Sequence, residues 1–205
     1  SLAGLHANLE ASEAVFAEAE RRNAESILCL GDVVGYGPNP SETVDLVRDR
    51  CEVTILGNHD AAVARDAEMH VLPKDGQKAA KLHQALLSDD QLDWLQAQLE
   101  EAPGPAIVLT HQRIDGLDEP HNVNNAEAAR DILQAAGNVP LVLSGHSHQN
   151  LHEQVNGIDY AVIRAMVEGP GQPNNSFARL LIYEDHSLRI EGHARQADVE
   201  VGVEE

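Results

Sequence analysis

Pro140-Leu141-Val142-Leu143-Ser144-Gly145-His146-Ser147-His148 is the stretch on which the fold turns. Its apolar run is too short for a helix, and a strand apolar on both faces belongs inside a covered sheet. Gly145 punctuates the run and two imidazoles follow it. Three other runs share this plan. Residues 26–30 lead into Gly31-Asp32, residues 52–56 into Gly57-Asn58-His59-Asp60, and residues 106–110 into His111. Each polar group falls just past a strand's C-terminal end, where open α/β sheets place their ligand sites. The four runs are expected side by side in one sheet, with Asp32, Asn58, His111, His146 and His148 converging at one rim.

Helical patterns lie between the runs. Residues 8–22 place Leu9, Val15, Phe16 and Ala19 on roughly one face. Asn39-Pro40-Ser41-Glu42 reads as a helix start with Asn39 as N-cap. Ser88-Asp89-Asp90-Gln91 is a capping box flanked by Leu87 and Leu92, and a helix opening at residues 124–127 closes at Gly137. The last third is antiparallel in character. One hairpin centres on Asn156-Gly157, a second on Asp185-His186, and the acidic tail after Ala197 is expected to fray. The fold class is therefore α/β with mixed sheets and C-terminal antiparallel hairpins. No repeat or linker splits the 205 residues, which read as a single domain spanning 1–205.

Charge excludes some functions. With 34 acidic against 14 basic residues the formal net charge is −20, a field that repels long nucleic acids and anionic membranes. No apolar run approaches the length of a membrane span, and no signal peptide is evident, so a cytoplasmic location is expected. The two cysteines, Cys29 and Cys51, lie in or beside strand-like segments and read as reduced thiols.

A lone His after a strand is usually a packed, hydrogen-bonded residue, and Gly-Asp at a strand end is usually a turn. The conjunction at four successive strand ends is what carries weight. In that order, Gly31-Asp32, Gly57-Asn58-His59-Asp60, His111 and Gly145-His146-Ser147-His148 resemble the signatures of the calcineurin-like metallophosphoesterase superfamily. The resemblance runs from about His6 to His148. Residues 30–40 look like the bacterial branch of small phosphodiesterases and relatives of dinucleoside tetraphosphatases. Residues 91–95 and the segment around 165–178 look more like branches acting on cyclic nucleotides or ADP-ribose-type compounds.

The resemblance implies a four-layer α-β-β-α sandwich and two divalent metal ions bridged by Asp32. Asn58, His111 and His146 would complete one site, with His6 and His148 serving the other. Mixed imidazole and oxygen ligands suit Mn, Fe, Zn or Ni. It further implies that His59 stabilises the developing charge or protonates the leaving oxygen, with Asp60 orienting its ring. The expected partner is a small phosphate ester or nucleotide. One position departs from the pattern: Gly4 stands where the family's Asp-x-His places its Asp. On this alignment, Gly4→Asp is expected to add a ligand beside His6. Loss of that carboxylate leaves a second reading open, a catalytically impaired member used as a binding scaffold, as the superfamily's retromer subunit is.

Other residues read more plainly. His70, His83, His121, His152, His186 and His193 are assigned to surface or hairpin positions. Tyr36 is divided between pocket lining and loop packing, Arg113 is given a surface salt bridge ahead of a phosphate contact, and Asn174 and Asn175 are turn formers. Trp94 is placed in the core with Leu92, Leu95 and Leu99.

Overall fold

The structure is a computed structural model that describes residues 1–64, 86–116, 121–169 and 171–202. Along the chain these form α1 (Leu9–Arg21), β1 (Leu28–Cys29), α2 (Pro40–Arg50), β2 (Val53–Thr54), α3 (Asn58–Ala64), α4 (Asp89–Glu101) and β3 (Ile107–Leu109). There follow α5 (Ala126–Ala136), β4 (Leu141–Ser144), β5 (Leu151–Val155), β6 (Ile158–Val162), β7 (Phe177–Ile182), β8 (Leu188–His193) and β9 (Val199–Glu200).

The four apolar runs do not share one sheet. β3 and β4 lie in the order β3-β4-β6-β5, parallel except for the β5–β6 hairpin. β1 pairs with β2 in parallel and takes residues 1–5 on its other side, where the Leu2 N–H donates to the Leu28 carbonyl at 2.8 Å. That segment reaches the antiparallel β7-β8-β9 through the Ala178 N–H on the Ser1 carbonyl at 3.1 Å. Apolar runs announce burial on two faces but not the neighbour they pair with, so sequence alone did not separate two sheets from one.

Period-two alternation then sorts the side chains into layers. Leu141 and Leu143 point into a core shared by both sheets, with Ala3, Leu30, Ala161, Ile163 and Ile190. Val142 and Tyr160 point the other way, against Leu99 of α4 and Ala129 and Leu133 of α5. Leu2 and Cys29 face outward from the other sheet onto Val15 and Phe16 of α1 and Val47 of α2. The result is helix, sheet, sheet, helix.

Local signals explain most helix ends. Asn8 Oδ1 accepts the Ala11 N–H, Ser88 and Gln91 form the capping box, and Gly137 closes α5 with φ +67. Asn39 departs from expectation, for its side chain caps nothing; its backbone carbonyl takes the Thr43 N–H and hydroxyl instead.

Trp94 is 63% exposed. Leu92, Leu95 and Leu99 repeat at i, i+3 and i+7 and turn inward together, whereas Trp94 lies about 100° round the helix from Leu95. β2 is likewise an exposed edge, with Val53 and Leu56 open to solvent rather than buried. The tail does not fray within the described residues. Val199 is buried and pairs with Ile190, and the Gly202 N–H donates to the buried Asp159 carboxylate at 2.9 Å. Cys29 and Cys51 are free thiols, pushed by burial up to about 12 and about 11. His152 pairs with Asp159, His186 sits in its hairpin turn and His193 stacks on Phe177. His70 and His83 lie outside the described residues. No helix among the described residues is long and apolar enough to cross a membrane.

Candidate active site

Although the strands divide between two sheets, their C-terminal ends meet. The loop after β1 is hydrogen-bonded to residues 4–7, with the His6 N–H on the Asp32 carbonyl at 2.9 Å and the Ala7 N–H on the Val33 carbonyl at 2.7 Å. This brings His6 to Asp32, both buried. On the facing sheet the Gly145 N–H donates to the His111 carbonyl at 3.0 Å, which sets His146 beside His111.

Two groups of ligand-capable atoms result, each within 4.8 Å: His6, Asp32 and His148, and Asp32, His111 and His146. Asp32 belongs to both. Its Oδ2 lies 3.3 Å from His111 Nε2 and 3.7 Å from His6 Nε2, while its Oδ1 accepts the His59 N–H at 2.9 Å. Asn58 Oδ1 lies 3.0 Å from both His111 Nε2 and His146 Nδ1. His6 Nε2 and His148 Nε2 are 3.2 Å apart.

The outer ring nitrogens decide what the inner ones present. His111 Nδ1 faces the Leu30 carbonyl at 2.7 Å, and His6 Nδ1 faces the Val34 carbonyl at 3.2 Å. His148 Nδ1 faces the Glu168 carboxylate at 2.8 Å. Those oxygens only accept, so each Nδ1 carries the hydrogen, and each ring, when neutral, turns a lone pair inward from Nε2. Lone pairs aimed at each other, or at carboxylate and amide oxygens, repel unless a proton or a cation lies between. Anchoring the outer N–H on a carbonyl or carboxylate is also how proteins orient metal-ligating histidines. The donor set therefore fits divalent cations.

The protonation equilibria follow the same geometry. Burial pushes the Asp32 carboxyl up, but the His111 hydrogen bond and charge, the His59 amide and His6 outweigh it and hold the group at about 2. Burial pulls His111 down, yet its hydrogen bond to Asp32 and that carboxylate's charge carry it above the ordinary imidazole value. His6 is lowered to about 4, chiefly by burial, so it is a neutral donor near pH 7.

Backbone strain gathers here as well. His6, Asp32, His146 and His148 all have positive φ, between 48° and 63°, an uncommon region for non-glycine residues that favours functional sites. Gly57 is dictated by close approach, since a Cβ there would lie 2.1 Å from Asp32 Oδ1.

His59 and Tyr36 stand at the mouth, their rings 4.9 Å apart and each under 5 Å from the His6 ring. Tyr36 is 72% exposed and lines a cavity of about 340 Å³ with His59, Asn58 and His148. Asp60 does not turn to the His59 ring as expected. Its Oδ1 accepts the Val34 N–H and its Oδ2 the Gly57 N–H, both at 3.0 Å, so it clamps two site loops together. Arg113 is also reassigned: it is 2% exposed and forms a buried ion pair with Asp115 at 2.7 Å.

Sequence reasoning missed several lining residues, among them His121, Arg164 and Glu168. His121 is brought back by the bridge between Arg113 and Asn122, and its ring lies 5.8 Å from that of His146. Arg164 and Glu168 line the cavity past the end of β6. β6 runs parallel to β4 with Val162 opposite Ser144, so Arg164 stands at the level of His146. Recognising that pairing would have found it; no local motif does.

Gly4 shows why the missing carboxylate is not a simple vacancy. Its φ is +56, and a Cβ there would lie 2.6 Å from Ala165 Cβ. Gly4→Asp alone is expected to destabilise the fold by about 1–3 kcal/mol through overpacking and backbone strain, measured by urea unfolding. With Ala165→Gly the nearest clash disappears. The double variant should recover stability and gain affinity for a second Mn²⁺. Unchanged stability in the single variant would show that the 4–7 loop relaxes freely.

The family model for calcineurin-like phosphoesterases matches residues 4–150, which span these strand ends. An uncharacterized protein of Methanocaldococcus jannaschii is 27% identical over 93% of this chain and 84% of its own length. A symmetrical bis(5'-nucleosyl)-tetraphosphatase of Aliivibrio salmonicida is 33% identical over 54% of this chain, which spans only 41% of that enzyme. Among solved structures, a dimetal phosphatase from Danio rerio has the same fold, with a TM-score of 0.73 at 16% identity over 98% of this chain and 97% of that one.

Proposed function

The chain belongs to the calcineurin-like phosphoesterase family, and on that premise we propose that it hydrolyses a small phosphomonoester, phosphodiester or nucleotide at a pair of divalent metal ions. The inward-facing Nε2 atoms of His6, His111 and His148 around Asp32, each ring held from behind at Nδ1, carry this reading. Asp32, Asn58, His111 and His146 would hold one ion, and His6, Asp32 and His148 the other. When bound, such ions polarise a phosphoryl group and acidify water, so that the protein needs no covalent nucleophile.

The chain's own residues supply the rest. The His59 side chain lines the cavity and belongs to neither ligand group, which leaves its imidazole to protonate the leaving oxygen. Asp32 accepts the His59 backbone N–H and so fixes where the base of that side chain starts. Tyr36 offers an exposed ring at the mouth, suited to the flat face of a nucleobase. A cavity of about 340 Å³ suits a small ester rather than a polymer, as the net charge of −20 does. The similarity to a dinucleoside tetraphosphatase and to a cyclic AMP phosphodiesterase of Haemophilus influenzae supports nucleotides as substrates.

The test is a panel assay with Mn²⁺ using bis-p-nitrophenyl phosphate, cyclic nucleotides and dinucleoside polyphosphates, run before and after chelation. Turnover is expected, lost on chelation and restored by Mn²⁺. The Asn58-containing group, with more donors, should retain its ion longer than the His6 group during dialysis. The scaffold reading, which rests on Gly4, predicts no turnover with any of these substrates.

A further inference from the structure

The cavity holds one permanent cation among its described lining residues, Arg164. Its carboxylates are engaged elsewhere, Asp32 by His6 and His111 and Glu168 by His148. Arg164 forms no ion pair among the described residues, and its Nε is buried without a hydrogen-bond partner. A buried donor left unpaired is rare in folded proteins and asks what satisfies it. Its backbone is not loose, since the Arg164 N–H donates to Gln196 Oε1 at 2.7 Å.

Position sharpens the question. β6 lies beside β4, about 4.8 Å away as neighbouring strands are, with Arg164 and His146 each two residues past the paired ends Val162 and Ser144. A group held by Arg164 therefore sits next to, not on, the group held at Asn58, His111 and His146. A guanidinium matches two phosphate oxygens at once. In a chain of net charge −20, an unpaired arginine in this cavity also offsets repulsion of a polyanionic ligand.

We propose that Arg164 anchors a second, non-reacting phosphate, so that the site selects compounds with two or more linked phosphates, such as nucleoside and dinucleoside polyphosphates. This rests on the phosphohydrolase reading and names its substrate class.

Calorimetric titration of the Mn²⁺-loaded protein with imidodiphosphate and with orthophosphate tests it without requiring turnover. Wild type should prefer imidodiphosphate by at least about tenfold, the effect of one charge-assisted hydrogen-bonded contact. Arg164→Met keeps the apolar stem and should lower imidodiphosphate affinity by about ten- to a hundredfold, bringing the preference toward one. Arg164→Lys should recover part of it. Equal losses for both anions, an unchanged preference in Arg164→Met, or no preference in wild type would overturn the assignment. Hydrolysis of bis-p-nitrophenyl phosphate is followed separately. If it is absent while the Arg164-dependent preference remains, the catalytic reading falls and the anion site stands.

Discussion

His59→Ala is expected to lower kcat by about 10²–10⁴-fold, the range for a positioned acid–base group, with metal content nearly unchanged. The side chain lines the cavity but belongs to neither ligand group around Asp32, so both donor sets survive its removal. Proton donation makes a sharper demand than a rate loss. A p-nitrophenolate leaves without needing a proton, whereas an alkoxide does not. The defect should therefore be large for an alkyl or nucleoside ester and small for bis-p-nitrophenyl phosphate. A uniform defect across leaving groups would assign His59 to positioning instead. Metal lost together with activity would make it a ligand.

Arg113→Ala should destabilise the protein by about 3–5 kcal/mol, because it removes the guanidinium from the buried Asp115 carboxylate. The pair is held at 2.7 Å, Asn122 Nδ2 adds a bond to Asp115 Oδ1 at 3.2 Å, and all three residues are buried. Urea unfolding should show a lower midpoint with an unchanged slope. The Arg113→Met, Asp115→Leu pair removes both charges and should recover most of the loss, since apolar replacement of a buried ion pair is often neutral or better. A cost below about 1 kcal/mol for Arg113→Ala would mean that the pair behaves as a solvated one. His111 lies two residues before Arg113 and His121 one before its bridge partner Asn122, so loss of the pair should also disturb this side of the cavity.

Much of the site was legible before the fold because strand ends are local events. An apolar run, a residue that breaks it and the polar groups beyond are all written within a few positions, as at Leu30-Gly31-Asp32 and Ser144-Gly145-His146. Capping is local too, which is why Ser88 and Gln91 behaved as read. Asn39 and Trp94 did not, since a cap competes with the backbone's own bonds and a ring's burial depends on which helix face meets a neighbour. Asp60 was misjudged for a related reason: its neighbour in sequence is His59, but its hydrogen-bond partners lie on two loop backbones.

By itself, then, the sequence determined the class of fold, most of the order of strands and helices, and the candidate donors Asp32, Asn58, His111, His146 and His148 near strand ends, because each rests on short-range polarity and steric preference. Only the tertiary structure decided that the strands divide into two facing sheets, that Gly4 is pressed against Ala165, and that Arg164 joins the cavity. It also decided which nitrogen of each histidine looks inward, by placing the Leu30 and Val34 carbonyls and the Glu168 carboxylate behind the rings. These features depend on pairings between residues far apart in the chain, which burial and hydrogen-bond satisfaction select only when the whole core assembles.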